Sequence, residues 1–206
     1  MIYLGSLAKS WWLDCPSRQT KVAVETWTDK HISSVVIAHE LDEAKSWSTS
    51  QDTSDTDEKA LEVRTSRHLR SGGTLTASYP VDDKSCTIDI SLPATFPLHP
   101  ATVSSISRVA VDEKHWTAWL RRAQGAILFN NNDLVAGLIN FKKNISGALK
   151  GVSECAICYS IVAEDGKLPN KTCRTCKNRF HGGCLFTWFK TSNASLCPLC
   201  RQPFNY

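Results

Sequence analysis

The sequence predicts an α+β chain that ends in a small metal-organised module, and three observations carry that reading. Apolar residues recur at helical spacing near the start and again after residue 112. Between these stretches they alternate with a period of two. Seven of the nine cysteines fall between residues 151 and 206. The 206 residues are 42% hydrophobic and 21% charged, the balance of a folded globular chain. No apolar run approaches the ~18–20 residues of a membrane span, which excludes an integral membrane protein. No basic-then-apolar secretory signal opens the chain, and a cytoplasmic location is expected.

Residues 1–45 read as a helical segment. Leu4, Leu7, Ala8, Trp11, Trp12 and Cys15 share one face of a first helix. Asp14 near an N-cap and Pro16 in a first turn mark a restart. A second stripe, Ile32, Val35, Val36, His39, Leu41 and Ala44, is expected to pack a core. Residues 46–58, rich in Ser, Thr and Asp, have almost nothing to bury and read as an acidic flexible loop. A domain over 59–150, which also takes a helix from the N-terminal segment, opens with strands. Leu61, Val63 and Thr65 alternate, Gly72-Gly73 marks a turn, and Leu75, Ala77 and Tyr79 alternate next. After Asp82-Asp83, Cys86, Ile88, Ile90 and Leu92 alternate strictly with polar neighbours. This is an antiparallel meander with one buried face. Pro93, Pro97 and Pro100 force an extended loop, and residues 102–111 supply a candidate last strand. Asp112 reads as the cap of a helix striped by Trp116, Trp119, Leu120, Ala123 and Ile127. A turn at residues 130–133 leads to a helix striped by Leu134, Leu138, Phe141 and Ile145.

Tyr79-Pro80, the strand SCTIDISL and the loop Phe96-Pro97-Leu98-His99-Pro100, with two helices after it, resemble an RWD domain. That family shares the fold of ubiquitin-conjugating enzymes, which place a nucleophilic cysteine after the proline-rich loop. This chain has no cysteine between Cys86 and Cys155, and Cys86 lies in the strand pattern, facing the core. The resemblance implies the fold without the chemistry: an interaction module.

Residues 151–206 carry the strongest signal. Cys155, Cys158, Cys173, Cys176, His181, Cys184, Cys197 and Cys200 form four pairs, each with two residues between its members. That spacing lets a tight turn bring both side chains to one ion. Nine cysteines is an odd number, clustered poorly for a disulfide scaffold, and a redox CxxC needs a strand-then-helix context that three such pairs in one short segment do not provide. Two structural zinc ions are expected; closed four-ligand sites polarise no substrate and activate no water. The charge balance also changes on metal binding. The net charge of +4 resides wholly in residues 151–206, and seven thiolates with two zinc ions would bring that module near +1. The case for a polyanion-binding surface weakens accordingly.

The ligand order resembles two families, RING fingers and PHD fingers. Both imply a cross-brace, with Cys155, Cys158, His181 and Cys184 on one zinc and Cys173, Cys176, Cys197 and Cys200 on the other. Spacing does not separate them. A PHD finger usually has an aromatic where this chain has Ser195. A RING that recruits a conjugating enzyme usually has a large aliphatic between its first ligands, here Ile157, and an aromatic past the sixth, here Trp188. Pro198 follows the seventh ligand, Leu199 adds an apolar contact, and Arg201 directly follows the eighth. The RING resemblance implies that Ile157, Trp188, Pro198 and Leu199 form a shallow groove for the conjugating enzyme. Arg201 would then bridge that enzyme and its thioester-linked ubiquitin, with no covalent catalytic residue in this chain. The alternatives are a PHD-like peptide reader, or an RNA-binding adaptor using Lys167, Lys171, Arg174, Lys177 and Arg179 in a loop region.

The segment WWLDC, the RWD-like middle and the ending FHGGCLFTWFKTSNASLCPLCRQPF together resemble the C-terminal end of the listerin family of large ubiquitin ligases. The resemblance implies a fragment lacking the family's long helical repeats. It also implies an RWD domain seated on the large ribosomal subunit and a RING that marks stalled nascent chains alongside other quality-control factors. His31, His39, His68, His99 and His115 have no ligand spacing and are assigned no metal. Three glycosylation sequons, at Asn144, Asn170 and Asn193, are expected to be silent.

Overall fold

The computed structural model describes residues 9–51, 59–68 and 72–204. A helical stretch over residues 9–14 precedes α1 (Arg18–Thr28). The cap of α1 is Ser17, whose hydroxyl accepts from the Thr20 N–H; Asp14 and Pro16 lie before it. The expected restart is thus displaced, because Ser17 carries the side-chain oxygen within reach of the free first-turn amides. Leu4, Leu7 and Ala8 fall outside the described residues. Of the paired tryptophans, Trp12 is buried and Trp11 exposed. Trp12 meets His99 edge-on with ring centroids 5.1 Å apart, which seats the N-terminal helices on the proline-rich loop.

A π-helical turn (Asp29–Ser33) joins α1 to α2 (Ser34–Thr49). The buried residues run Thr28, Ser33, Ile37, Leu41, Ala44. The five-residue step crosses the π turn, and the later steps are the three or four of an α-helix. Within α2 the period is regular, and the face that packs runs through Ile37, Leu41 and Ala44, with which Val35 and His39 are out of phase. Leu41 and Ala44 are buried as expected, Ile32 and Val36 only half-buried, and Val35 and His39 exposed. The helix also continues through Ser46–Thr49, which composition assigns to the acidic loop. Ser48 Oγ donates to the Leu61 carbonyl, and the Gln51 amide pairs with both the N–H and the carbonyl of Leu61. These bonds tie the helix end to the first strand. Residues 52–58 lie outside the described residues.

Strands β1 (Glu62–His68), β2 (Gly72–Val81), β3 (Lys84–Leu92) and β4 (Thr102–Ser107) form one antiparallel sheet in sequence order. Leu75, Ala77, Tyr79 and Val81 of β2 and Cys86, Ile88, Ile90 and Leu92 of β3 bury one face, as their alternation requires. Gly72 and Gly73 open β2, opposite His68 and Arg67, rather than forming a turn. Gly72 has φ +94°, and a Cβ there would stand 2.0 Å from the Leu92 carbonyl oxygen. A Cβ on Gly73 would press Ile37 and Leu41 at 2.9 and 3.0 Å. These glycines serve close packing of β3 and α2.

Asp112 caps α3 (Glu113–Phe129) by accepting from the His115 N–H, and Asp133 caps α4 (Leu134–Leu149). The two stripes are buried as expected, except that Leu120 is only partly covered. α2 packs on β1, β2 and α4, while α3 packs on β4 and α4. The main core lies between these helices and the sheet. No described helix is long and apolar enough to cross a membrane.

Candidate metal centre

The last quarter of the chain holds a two-residue pair of strands, β5 (Lys171–Thr172) and β6 (Arg179–Phe180), followed by α5 (Gly182–Ser192). Its three CxxC pairs adopt one common turn, a knuckle, numbered in chain order. The N–H of the residue after the second cysteine donates back to the carbonyl of the first: Tyr159 to Cys155 at 2.8 Å, Lys177 to Cys173 at 2.9 Å, Arg201 to Cys197 at 3.0 Å. A second bond closes each turn, from the first cysteine's N–H to the carbonyl of Ser160, Asn178 or Gln202. Such a turn ends in a left-handed residue, and Tyr159, Lys177 and Arg201 have φ of 60°, 60° and 56°. The fourth pair is helical. His181 is the residue before α5, and Cys184 follows in its first turn.

These elements gather Cys155, Cys158, His181 and Cys184 in one cluster and Cys173, Cys176, Cys197 and Cys200 in another, the ligand atoms of each lying within 4.8 Å of one another. The pairing is the expected cross-brace. Four sulfur atoms about 2.3 Å from a tetrahedral zinc stand about 3.8 Å apart, and a sulfur and an imidazole nitrogen about 3.6 Å apart. Here Cys173 Sγ–Cys200 Sγ and Cys176 Sγ–Cys197 Sγ are both 3.7 Å. His181 Nδ1 stands 3.4 Å from Cys158 Sγ and 3.9 Å from Cys184 Sγ. Both clusters fit zinc, and soft thiolates with one imidazole are its preferred donors.

The electrostatics agree. The Cys176 N–H holds the Cys173 thiol down at about 6. Burial raises Cys155, but the N–H groups of Cys158, His181 and Ile157 outweigh it and leave it lowered. Burial, then neighbouring thiolates, push Cys184 up to about 12; burial likewise pushes Cys197 up to about 12. The three thiols of one cluster and the four of the other ionise together only beside a cation, whose charge replaces the protons. Phe180, Leu185 and Phe204 fill the space between the clusters, Phe204 meeting Phe180 at 5.9 Å and Phe189 at 5.8 Å.

The residues outside the clusters divide by element. Ile157 lies in the first knuckle and is half-buried against the small core. Pro198 and Leu199 lie in the third knuckle, Leu199 being 51% exposed. Trp188 on α5 is 38% exposed, and its indole N–H donates to the Leu196 carbonyl at 3.1 Å, tying the helix to the segment entering that knuckle. Arg201 is exposed at the knuckle's left-handed position. Of the five cations, Lys171 and Arg179 sit in the β5–β6 pair rather than in a loop, and Lys167 pairs with Asp165.

In the larger domain, Cys86 is fully buried, its thiol donating to the Val109 carbonyl at 3.2 Å, and burial raises its pKa. It cannot serve as an accessible nucleophile. The contacts of Asp82 and Lys84 with the metal module have no precursor in the sequence reading. Both residues touch backbone of that module, so no side-chain pattern announces them.

Three family models match in succession: LTN1 family HEAT repeat region over residues 1–45, ubiquitin conjugating domain-like over 61–147, and Ring finger domain over 153–201. The last separates the RING from the PHD reading, which spacing leaves open. Over 204 residues, 99% of the chain, it is 45% identical to a Neurospora crassa protein named E3 ubiquitin-protein ligase listerin. Proteins of the same name from Schizosaccharomyces pombe and Saccharomyces cerevisiae are 35% and 37% identical over 99% and 97% of the chain. The chain spans only 13%, 12% and 12% of the length of these three relatives. Matched from end to end by that part of its relatives, the chain belongs to the listerin family, as a segment joining HEAT-repeat helices, a conjugating-enzyme-like domain and a two-zinc RING finger.

Proposed function

We propose that the chain acts as a RING-type ubiquitin ligase, presenting a ubiquitin-conjugating enzyme and its thioester-linked ubiquitin to an acceptor lysine. The observation that carries this is a pair of four-ligand clusters, each sufficient to close a tetrahedral metal site, beside exposed Trp188, Leu199 and Arg201. Such a site does no chemistry of its own and is suited to holding partners. The names of its relatives support the same activity. When bound, zinc supplies structural rigidity. Ile157, Trp188, Pro198 and Leu199 make the apolar contact with the conjugating enzyme. The Arg201 guanidinium, held outward by the knuckle, donates to both the enzyme and its ubiquitin and limits the thioester to attack-ready orientations. No residue of this chain forms a covalent bond.

The family resemblance extends the reading. The conjugating-enzyme-like domain, an RWD domain in this view, rests on the large ribosomal subunit in the cytosol. The RING then marks stalled nascent chains alongside other quality-control factors.

The test is ubiquitin discharge to free lysine from a panel of loaded conjugating enzymes, with the zinc-filled chain as parent and Ile157→Ala and Arg201→Ala as variants. The parent should accelerate discharge with at least one enzyme. Each variant should lose about tenfold or more of that acceleration while retaining both zinc ions. A folded, zinc-filled parent that accelerates none of the panel overturns the ligase reading.

A further inference from the structure

The segment between the first and second ligand pairs is held from outside the RING. Asp82, at the turn between β2 and β3, accepts from the Ile161 N–H at 2.7 Å and the Val162 N–H at 2.9 Å through one carboxylate oxygen. Lys84, at the start of β3, donates to the carbonyls of Ala163 at 2.9 Å and Glu164 at 2.5 Å. The Ala110 N–H, before α3, donates to the Gly166 carbonyl at 2.9 Å. An anion thus meets the donors of the loop and a cation meets its acceptors. Val162 is 7% exposed and belongs to the core of the larger domain, with Ile161 packed at its edge.

The same loop reaches the first metal cluster. The Ile161 carbonyl lies 3.2 Å from His181 Nε2, and His181 is 2% exposed. Nδ1 is the ring nitrogen facing Cys158 and Cys184, so it must keep its lone pair for the metal. Nε2 therefore carries the proton and donates it to Ile161. A ligand histidine whose second nitrogen is held in this way has its tautomer and ring plane set in advance.

We propose that Asp82 and Lys84 are positioning residues for the histidine-containing cluster: they hold the 161–166 loop so that its Ile161 carbonyl fixes the His181 imidazole as a metal ligand. The β2–β3 turn of the conjugating-enzyme-like domain is then part of the outer support of the first metal site. The all-cysteine cluster has no such support from that turn among the described residues. The inference rests on the two-cluster geometry and is independent of ubiquitin transfer.

The φ of Asp82, +52°, suggests the test. Asp82→Gly removes the carboxylate while tolerating the left-handed backbone, and Asp82→Asn keeps an acceptor oxygen in the same place. Both variants and the parent, as the full 206-residue chain, are loaded with cobalt. Metal transfer to a chelator is then followed by absorption, since a site of three thiolates and an imidazole and a site of four thiolates have distinct cobalt spectra. Glycine should speed release from the histidine-containing site about tenfold, the lower end of the effect of losing an outer-shell partner, and leave the all-cysteine site unchanged. Asparagine should stay near the parent. Equal acceleration at both sites, no acceleration at the histidine-containing site, or an asparagine variant as fast as the glycine variant each overturns the proposal.

Discussion

If the proposed docking of a conjugating enzyme holds, Trp188 serves both that partner and the RING itself, and replacing it with alanine tests both. The residue is 38% exposed. A tryptophan side chain has roughly 250 Å² of surface, so about 95 Å² faces outward and about 155 Å² is packed within the RING. At about 25 cal/mol per Å², the outward part offers a partner about 2.4 kcal/mol, or about 50-fold in affinity. The inward part, counted the same way, contributes about 4 kcal/mol to the RING as an upper bound, along with the bond to Leu196. Trp188→Ala should therefore weaken conjugating-enzyme binding about 50-fold in calorimetry and also lower the melting temperature of the RING. Leu199, 51% exposed, offers a cleaner control. A fully buried leucine is worth about 1.5–3 kcal/mol, so the exposed half supplies about 1 kcal/mol. Leu199→Ala should cost about fivefold in binding and lower melting less than Trp188→Ala does, since its covered half is worth only about 1 kcal/mol. A Trp188→Ala variant that stays folded and zinc-loaded, yet binds within twofold of the parent, would refute the docking role and this arithmetic together.

The helix crossing and the second metal cluster offer two more tests. A Cβ on Gly137 would stand 2.5 Å from Ile127 Cγ1, where α3 crosses α4, so Gly137→Ala should cost about 1–3 kcal/mol by denaturant unfolding; stability equal to the parent would show that the crossing relaxes freely. For the metal cluster the variable is pH. Cys173 is already a thiolate above about 6 and a thiol below it. Zinc therefore displaces a proton from it only on the acid side. The slope of log zinc affinity against pH should steepen by one below about pH 6, as measured by competition with a chelator of known affinity. An unchanged slope across that pH would mean that the Cys176 N–H does not hold this thiol down.

The agreement between sequence and structure has a physical pattern. Strand alternation and helical stripes survive wherever one element packs against one surface, as in β2, β3, α3 and α4, because the core selects for polarity at a fixed period. The stripe in α2 fails because Val35 and His39 lie off the face that Ile37, Leu41 and Ala44 bury, so apolar type alone misplaces that face. Gly72-Gly73 reads as a turn because glycine permits one, yet its use here is to let β3 and α2 approach. Ser46–Thr49 looks unstructured because helix propensity there is weak, and tertiary bonds to Leu61 outweigh it.

The metal chemistry is legible from the chain alone. Ligand type and two-residue spacing are local properties, and a CxxC turn forms from its own four residues and the next two. The polarity of the sheet and the burial of Cys86 are legible in the same way, since both follow from which residues alternate. The surface that supports the first metal cluster is settled by tertiary contacts instead. Asp82 is 79 and 80 residues from the amides it holds. Those partners are backbone groups, identical at every position of the chain that is not proline, so their pairing is visible only once folding has placed the two loops together.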